Sequence, residues 1–321
     1  MGRQALPIQI FYPILAVIGV PVNLLSFLIL LQGKCGLSKE ITRYMMAMTV
    51  GDLMVLVFNV TVSQIVRNHS PDSVLKYTPV CRASAFLQGF SLQLTSWFTV
   101  SFTFDRFVAI CCGELRLRYC TERTAAVVLT AVSLINVLTN IPLPFGYEPC
   151  FTVNRVQYGC CTTVGSLASP VWAAHRWVTM LSTTFLPIPA LLLLNSLTAR
   201  HILVASRARR ALRIGRRGDP RGDPELKGRR TSIVLLFAVS GSFIAMSAPI
   251  SVIHAWVGVT ETVTFKGSSS LYLAVQITFL LMCTGSCTNT CVYALTQSRF
   301  RAQMKAVVKS PFAPLIKQFS Q

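Results

Sequence analysis

The stretch 81–112, CRASAFLQGFSLQLTSWFTVSFTFDRFVAICC, decides the fold. From Ala83 to Phe104 it holds no Asp, Glu, Lys or Arg; Cys81 stands before that interval and the pair Asp105-Arg106 closes it. Arg106 lies 25 positions after Cys81. As a helix that distance is about 37 Å at ~1.5 Å per residue, enough to cross a bilayer whose hydrocarbon core is about 30 Å thick. One helix therefore carries a cysteine at one membrane face and an acid–arginine pair at the other.

The rest of the chain has the same character. It is 321 residues long, 52% hydrophobic and only 13% charged, a balance that excludes an ordinary soluble domain and fits a membrane protein. Stretches free of Asp, Glu, Lys and Arg run from Gln4 to Gly33, Tyr44 to Val66 apart from Asp52, Ala83 to Phe104, Thr124 to Tyr147, Trp177 to Ala199, Thr231 to Ile253 and Gly267 to Ser298. About 20 apolar residues suffice for one crossing, and a crossing backbone must be helical to satisfy its own amides. The expected fold class is an all-α membrane protein, a seven-transmembrane helix bundle. No cleavable leader is evident, so the first span is expected to direct insertion.

Charge assigns the faces. With the N-terminus outside, the inner segments carry +2 (Lys34, Lys39, Glu40, Arg43), +1 (Glu114 to Arg123), +8 (Arg200 to Arg230) and +5 (Arg299 to Lys317), against +4 for all outer segments together. This positive-inside bias absorbs most of the net charge of +19 and predicts an outer N-terminus and a cytoplasmic C-terminus. Residues 1–8 form the short N-terminus, 9–300 the seven-span domain with a third cytoplasmic loop at about 201–230, and 301–321 a short basic tail. The run RARRALRIGRRGDPRGDPELKGRR falls in that loop, where a basic run is a solvated face rather than a nucleic-acid interface. Its first half could prolong the fifth helix, and Gly215, Gly218, Pro220, Gly222 and Pro224 break it.

Cysteines divide by compartment. Cys81, Cys150, Cys160 and Cys161 fall outside, where disulfides persist, and Cys35, Cys111, Cys112 and Cys120 inside, where thiols stay reduced. Cys283, Cys287 and Cys291 repeat every fourth residue along the last span, a small-residue packing stripe. Asn68-His69-Ser70 is a glycosylation sequon in the first outer loop.

Asp52 is the one formally charged residue within the spans. An intramembrane carboxylate is a functional hypothesis by default. Thr95, Ser286 and Asn289 are polar residues at similar depth; with Asp52 they could hold a sodium ion, since hard cations favour oxygen ligands, or Asp52 could serve, protonated, as a hydrogen-bonding strut. Asp105 can hold Arg106 through a charge-assisted pair, a latch that when broken frees Arg106 to reach into the bundle or toward a partner.

These residues together resemble the rhodopsin-like (class A) G-protein-coupled receptors, over about Phe11 to Phe300. The likeness rests on Asn23 after GVPV, Asp52, Cys81 with FDRFVAIC, Phe243 six residues before Pro249, NTCVY at Asn289 to Tyr293, and Phe300 seven residues beyond. It implies that the membrane is the plasma membrane, which makes the outer N-terminus extracellular. It implies a disulfide from Cys81 to Cys160 or Cys161, switch roles for Asp105, Arg106, Phe243, Pro249, Asn289 and Tyr293, and a short amphipathic helix after the seventh span. It also implies a ligand-driven outward swing of the sixth helix about Pro249, with Arg106 and the loop Glu114 to Tyr119 meeting a heterotrimeric G protein. No enzyme activity and no resident cofactor are expected, beyond an allosteric sodium ion at Asp52 that favours the inactive state. The chain departs from the family pattern at Thr290, in place of the proline of NPxxY, at Ser247, in place of a tryptophan, at Ser133 or a neighbour, in place of a fourth-span tryptophan, and at Asn195, in place of a tyrosine. No cysteine follows Cys291, and the tail offers only Ser298, Ser310 and Ser320 as hydroxyls. A palmitoyl anchor is not expected there, and arrestin recruitment through the tail should be weak.

The resemblance places a ligand pocket among Gln88, Leu92, Gln93, Arg176, Thr179, Thr183, Ile250, Ser251, His254, Gln276 and Phe279. Gln88 stands where amine receptors carry an acid, which suits a neutral or anionic small molecule. RYCTERTA, LPIPALLLLNSL and NTCVYALTQSRFR are most similar to the orphan receptors linked to aromatic amino acids, which implies Gq coupling. Arg176 or His254 would bind the carboxylate, and Phe279 or Trp177 would meet the ring. The alternatives are an odorant-type receptor, which FDRFVAIC also echoes, a constitutively active receptor, and, from another class, a secondary transporter, which would need paired intramembrane charges.

Overall fold

In a computed structural model the described residues are 6–66, 74–162, 169–213, 224–260 and 269–309. They form seven long helices, a short helix after the third and a short surface helix after the seventh. The first helix is Leu6–Leu31; the second starts as Lys39–Met54 and continues in π winding through Val55–Val66; the third is Thr78–Cys111. The fourth is Glu122–Asn140, the fifth runs through Pro170–Met180, a π turn Leu181–Phe185 and Pro187–Arg213, the sixth is Pro224–Thr260 and the seventh Ser269–Thr296. A short helix Gly113–Tyr119 follows the third, and Ser298–Lys309 is the surface helix. Helix thus occupies much of the stretch 201–230 read as loop from the sequence. Asn68 and the tail beyond residue 309 lie outside the described residues.

Local chemistry sets the ends. Pro79 sits in the first turn of the third helix, where its missing N–H has no helical partner anyway. Thr121 caps the fourth by accepting from the Thr124 N–H at 3.1 Å. The loop after the first helix turns through Gly36 at φ +65°, where an added Cβ would also run into the Arg299 side chain of the surface helix.

Six of the helices are long and apolar enough to cross a membrane, and the third is not among them. The reason is its position. It packs against the second, fourth, fifth and sixth helices, so its environment is protein rather than lipid. Ser91, Gln93, Thr95, Ser96, Thr99, Ser101 and Thr103 are buried on it. Several hydroxyls return to the carbonyl one turn back, as from Ser96 to Leu92 at 2.9 Å and Thr103 to Thr99 at 2.8 Å. The outer helices invert this pattern: Val17, Ile18, Leu134, Leu138 and Leu193 are exposed, an anomaly in water and a solvated surface in lipid.

Polar side chains join the helices inside. Asn23 donates to the Ser286 carbonyl at 3.0 Å, and Ser26 to the Thr290 hydroxyl at 2.9 Å. Asn59 donates to Ser91 at 2.8 Å. Asn195 and Ser240 exchange hydrogen bonds at 2.8 and 3.1 Å between the fifth and sixth helices. Thr290, where the family has proline, therefore ties the seventh helix to the first, and Asn195 ties the fifth to the sixth.

Over the Cys81 end lies a hairpin of β2 (Phe151–Val153) and β3 (Val156–Tyr158), paired antiparallel in the register Phe151↔Tyr158 and Val153↔Val156. Its turn residues Asn154 and Arg155 both have positive φ, the geometry that two-residue hairpins need. A second small ladder joins β1 (Tyr147–Glu148) to β4 (Cys161–Thr162). Cys81 is bonded to Cys160, and Cys150 to Cys161. The pairing left open between Cys160 and Cys161 thus falls to Cys160, because Cys161 closes the hairpin instead.

Candidate functional site

At the end of the bundle opposite those disulfides, Asp105 and Arg106 are both buried. Arg106 donates through Nε to Asp105 Oδ2 at 2.9 Å, and its Nη2 bonds the same oxygen. That nitrogen also lies 3.6 Å from Glu40 Oε1, in the first turn of the second helix. From sequence alone Glu40 is one charge of an inner loop. The Cys120 thiol points at the Asp105 carbonyl at 3.5 Å; burial, reinforced by the Asp105 charge, pushes it up to about 11, so it stays protonated and can donate. Arg106 and Glu40 face a cleft of about 810 Å³, also lined by Arg116, Arg299 and, from the sixth helix, Ser232 and Leu235.

A second site lies mid-bundle. Asn289 donates to Asp52 Oδ2 at 2.8 Å. Asp52 Oδ1 and Thr95 Oγ1 are buried without a hydrogen-bond partner. Both residues line a cavity of about 30 Å³ together with Ser286, Asn289, Phe243 and Ser247, enough for one water or small ion. The four residues named for a cation from sequence are thus brought together. Second and third helices approach closely beside them, since a Cβ on Gly51 would stand 2.6 Å from Thr95 Oγ1. Pro249 lies within the sixth helix, two residues beyond Ser247. Tyr293 is fully buried, edge-on to Phe300 at 5.9 Å.

The eleven residues assigned to a ligand have several different surroundings. Gln93 accepts from Thr139 Oγ1 at 2.9 Å and from Asn140, and donates to Ser182, so its amide joins the third, fourth and fifth helices. The π turn aims Ser182 at the third helix, where its carbonyl also accepts from Trp97 Nε1 at 3.0 Å. Phe279 packs on the cluster of Tyr12, Val55, Leu56 and Val60, on the side of the first and second helices. Gln88 donates to Ser84 at 2.9 Å and lines a separate crevice with Val62 and Cys81. Leu92 and Thr183 line the Asp52 cavity. Ile250 is buried, Ser251 donates to the Ser247 carbonyl at 2.9 Å, and Gln276 is half-buried. Arg176 and Trp177 are exposed. Thr179 Oγ1 and His254 Nδ1 are buried without a partner.

A helix bundle with a buried acid–arginine pair at one end, a carboxylate at its centre and a disulfide-closed lid at the other end is the build of a seven-span membrane receptor. The sequence model of the 7 transmembrane receptor (rhodopsin family) matches residues 22–293, and the chain belongs to that family. Members are receptors that signal through partner proteins, not enzymes. The chain is accordingly a multi-pass membrane receptor of class A.

Proposed function

We propose that this receptor takes an extracellular small molecule and activates a heterotrimeric G protein, Gq foremost, with its N-terminus outside and its Arg106 end in the cytoplasm. The observation that carries this reading is the Arg106 cluster opening into a cleft of about 810 Å³, opposite an end sealed by two disulfides. Disulfides belong to the oxidising face, which supports the orientation as the charge bias does. Ligand binding shifts a two-state equilibrium: the sixth helix swings out about Pro249, Phe243 and Tyr293 repack, and the cleft receives the G protein.

The unpartnered Thr179 and His254 atoms support a ligand with polar groups in the half of the bundle beneath the hairpin. The likeness to receptors linked to aromatic amino acids supports that substrate class and Gq; Arg176 or His254 then meets the carboxylate. Binding of L-tryptophan or L-phenylalanine that survives both Arg176→Ala and His254→Ala would overturn that assignment.

The residues around Asp52 fit a sodium ion: two orphaned oxygens share a cavity with Ser286 and Asn289. Asp52, Thr95, Ser286 and Asn289 would hold it, and it would supply a positive charge that favours the compact resting bundle.

The test is expression in cells with Gq, Gi and Gs reporters, over aromatic amino acids and related metabolites, beside Arg106→Ala. A saturable Gq response lost in Arg106→Ala is expected. Surface expression with no evoked signal on any reporter would overturn the ligand and coupling assignments together.

A further inference from the structure

We infer that Glu40 is the inter-helix restraint that holds Arg106 in the resting state, an inference that rests on the receptor reading above. Asp105 neighbours Arg106 on the same helix, so their pair orients the guanidinium without resisting displacement of one helix against another. Glu40 belongs to the second helix. Its carboxylate, 3.6 Å from Arg106 Nη2, spans the gap between helices and draws Arg106 toward the second helix, away from the sixth-helix wall of the cleft.

The surroundings leave Glu40 to Arg106. The two cations nearest Glu40 in sequence are engaged elsewhere: Arg43 pairs with Glu122 of the fourth helix at 2.6 Å, and Lys39 lies 3.6 Å from the same carboxylate. Glu40 sits in the first turn of its helix, where the helix dipole favours a negative charge. Among the described residues lining the cleft, Glu40 is the only acid, facing Arg106, Arg116 and Arg299. The sixth helix contributes Thr231, Ser232 and Leu235 to that wall, which offer Arg106 no countercharge. The restraint on Arg106 therefore comes from the second helix, and a partner entering the cleft must displace a carboxylate that its own groups then replace.

The experiment compares wild type, Glu40→Asp and Glu40→Gln with no ligand added, at matched surface expression. Basal signalling should rise severalfold in Glu40→Gln and less in Glu40→Asp, whose shorter side chain keeps the charge. A purely structural role would lower signal and expression instead. Because removing an acid also makes the cleft more positive and could favour G-protein encounter, a second readout uses purified receptor alone. Fluorine NMR of a probe introduced at Val234, exposed on the sixth helix, should show the minor resting-to-active population enlarged in Glu40→Gln. Wild-type basal signal and wild-type NMR populations in Glu40→Gln would overturn the inference. If Glu40→Gln fails to reach the surface, Glu40→Asp decides by the same two readouts. Silence of wild type on every reporter would instead count against the receptor coupling reading, with NMR still deciding the role of Glu40.

Discussion

The two ends of the third helix are held by different kinds of bond. At its Cys81 end the contacts are covalent or end on backbone carbonyls: Cys81–Cys160 and Cys150–Cys161, the Thr78 hydroxyl donating to the Gly159 carbonyl at 2.9 Å, the Gly159 N–H donating to the Lys76 carbonyl at 2.6 Å, and the Arg82 guanidinium donating to the Tyr147 carbonyl at 2.9 Å. At its Arg106 end the contacts are side-chain charges, Asp105 and Glu40, beside an open cleft. A disulfide has no partner to exchange with during signalling. An ion pair does, because any incoming donor or acceptor can take over one half of it. On the function proposed above, movement belongs to the Arg106 end, and the hairpin end serves as the fixed frame.

The largest expected effect breaks the mobile end. Arg106→Ala should drop evoked G-protein activation to the background of untransfected cells while surface staining remains. Next come the disulfides of the frame, which should cost stability in proportion to the chain they close. Cys81 and Cys160 are 79 residues apart and Cys150 and Cys161 are 11 apart; loop-closure entropy then gives about 4.5 against about 2.8 kcal/mol. Thermal denaturation of Cys160→Ala and Cys150→Ala receptors should rank them so; equal losses would mean that the hairpin, not the tether, stabilises that end.

A smaller effect is expected between the two ends. Gln93→Leu removes the acceptor of one Asn140 amide hydrogen, while the Thr139 hydroxyl can still donate to the Asn136 carbonyl at 3.1 Å, a cost of about 1–3 kcal/mol. Adding Asn140→Leu should cost less than the sum of the single changes, since neighbours in one network are not additive. Additive losses would show that the two do not share a hydrogen bond. Smallest is the cation effect: at sodium about five times its Kd, the melting curve should shift by about 1 kcal/mol, and Asp52→Asn should abolish the shift. A sodium response that persists in Asp52→Asn would place the ion elsewhere.

Legibility from sequence followed the range of the interaction. The helices were readable because a membrane-crossing backbone must satisfy itself locally, and Asp52 because it is the one charged residue within the spans. The third helix was readable from its lack of charge, although its polarity removes it from the apolar set. The cross-helix bonds of Gln93 and the packing of Phe279 were not legible, because a spacing gives the depth of a residue along a helix and not the neighbour that the helix turns it toward. Glu40 carried no signal beyond its charge, at the start of a helix where surface acids are common. Its partner lies on another helix, 66 positions away in the numbering.

The sequence by itself determined that this chain crosses a membrane seven times, that Cys81 and Arg106 lie at opposite ends of one helix, and that a lone carboxylate is buried among the spans. Each of these follows from composition within one segment, where the alternatives cost several kcal/mol per unsatisfied group. Only the tertiary structure decided that Cys160 rather than Cys161 meets Cys81, that Thr290 and Asn195 tie helices together, that Gln93 is a strut, and that Glu40 reaches Arg106. Those pairings depend on how each helix is rotated about its axis. That rotation is set jointly by all the neighbours of a helix, and no single stretch of sequence contains it.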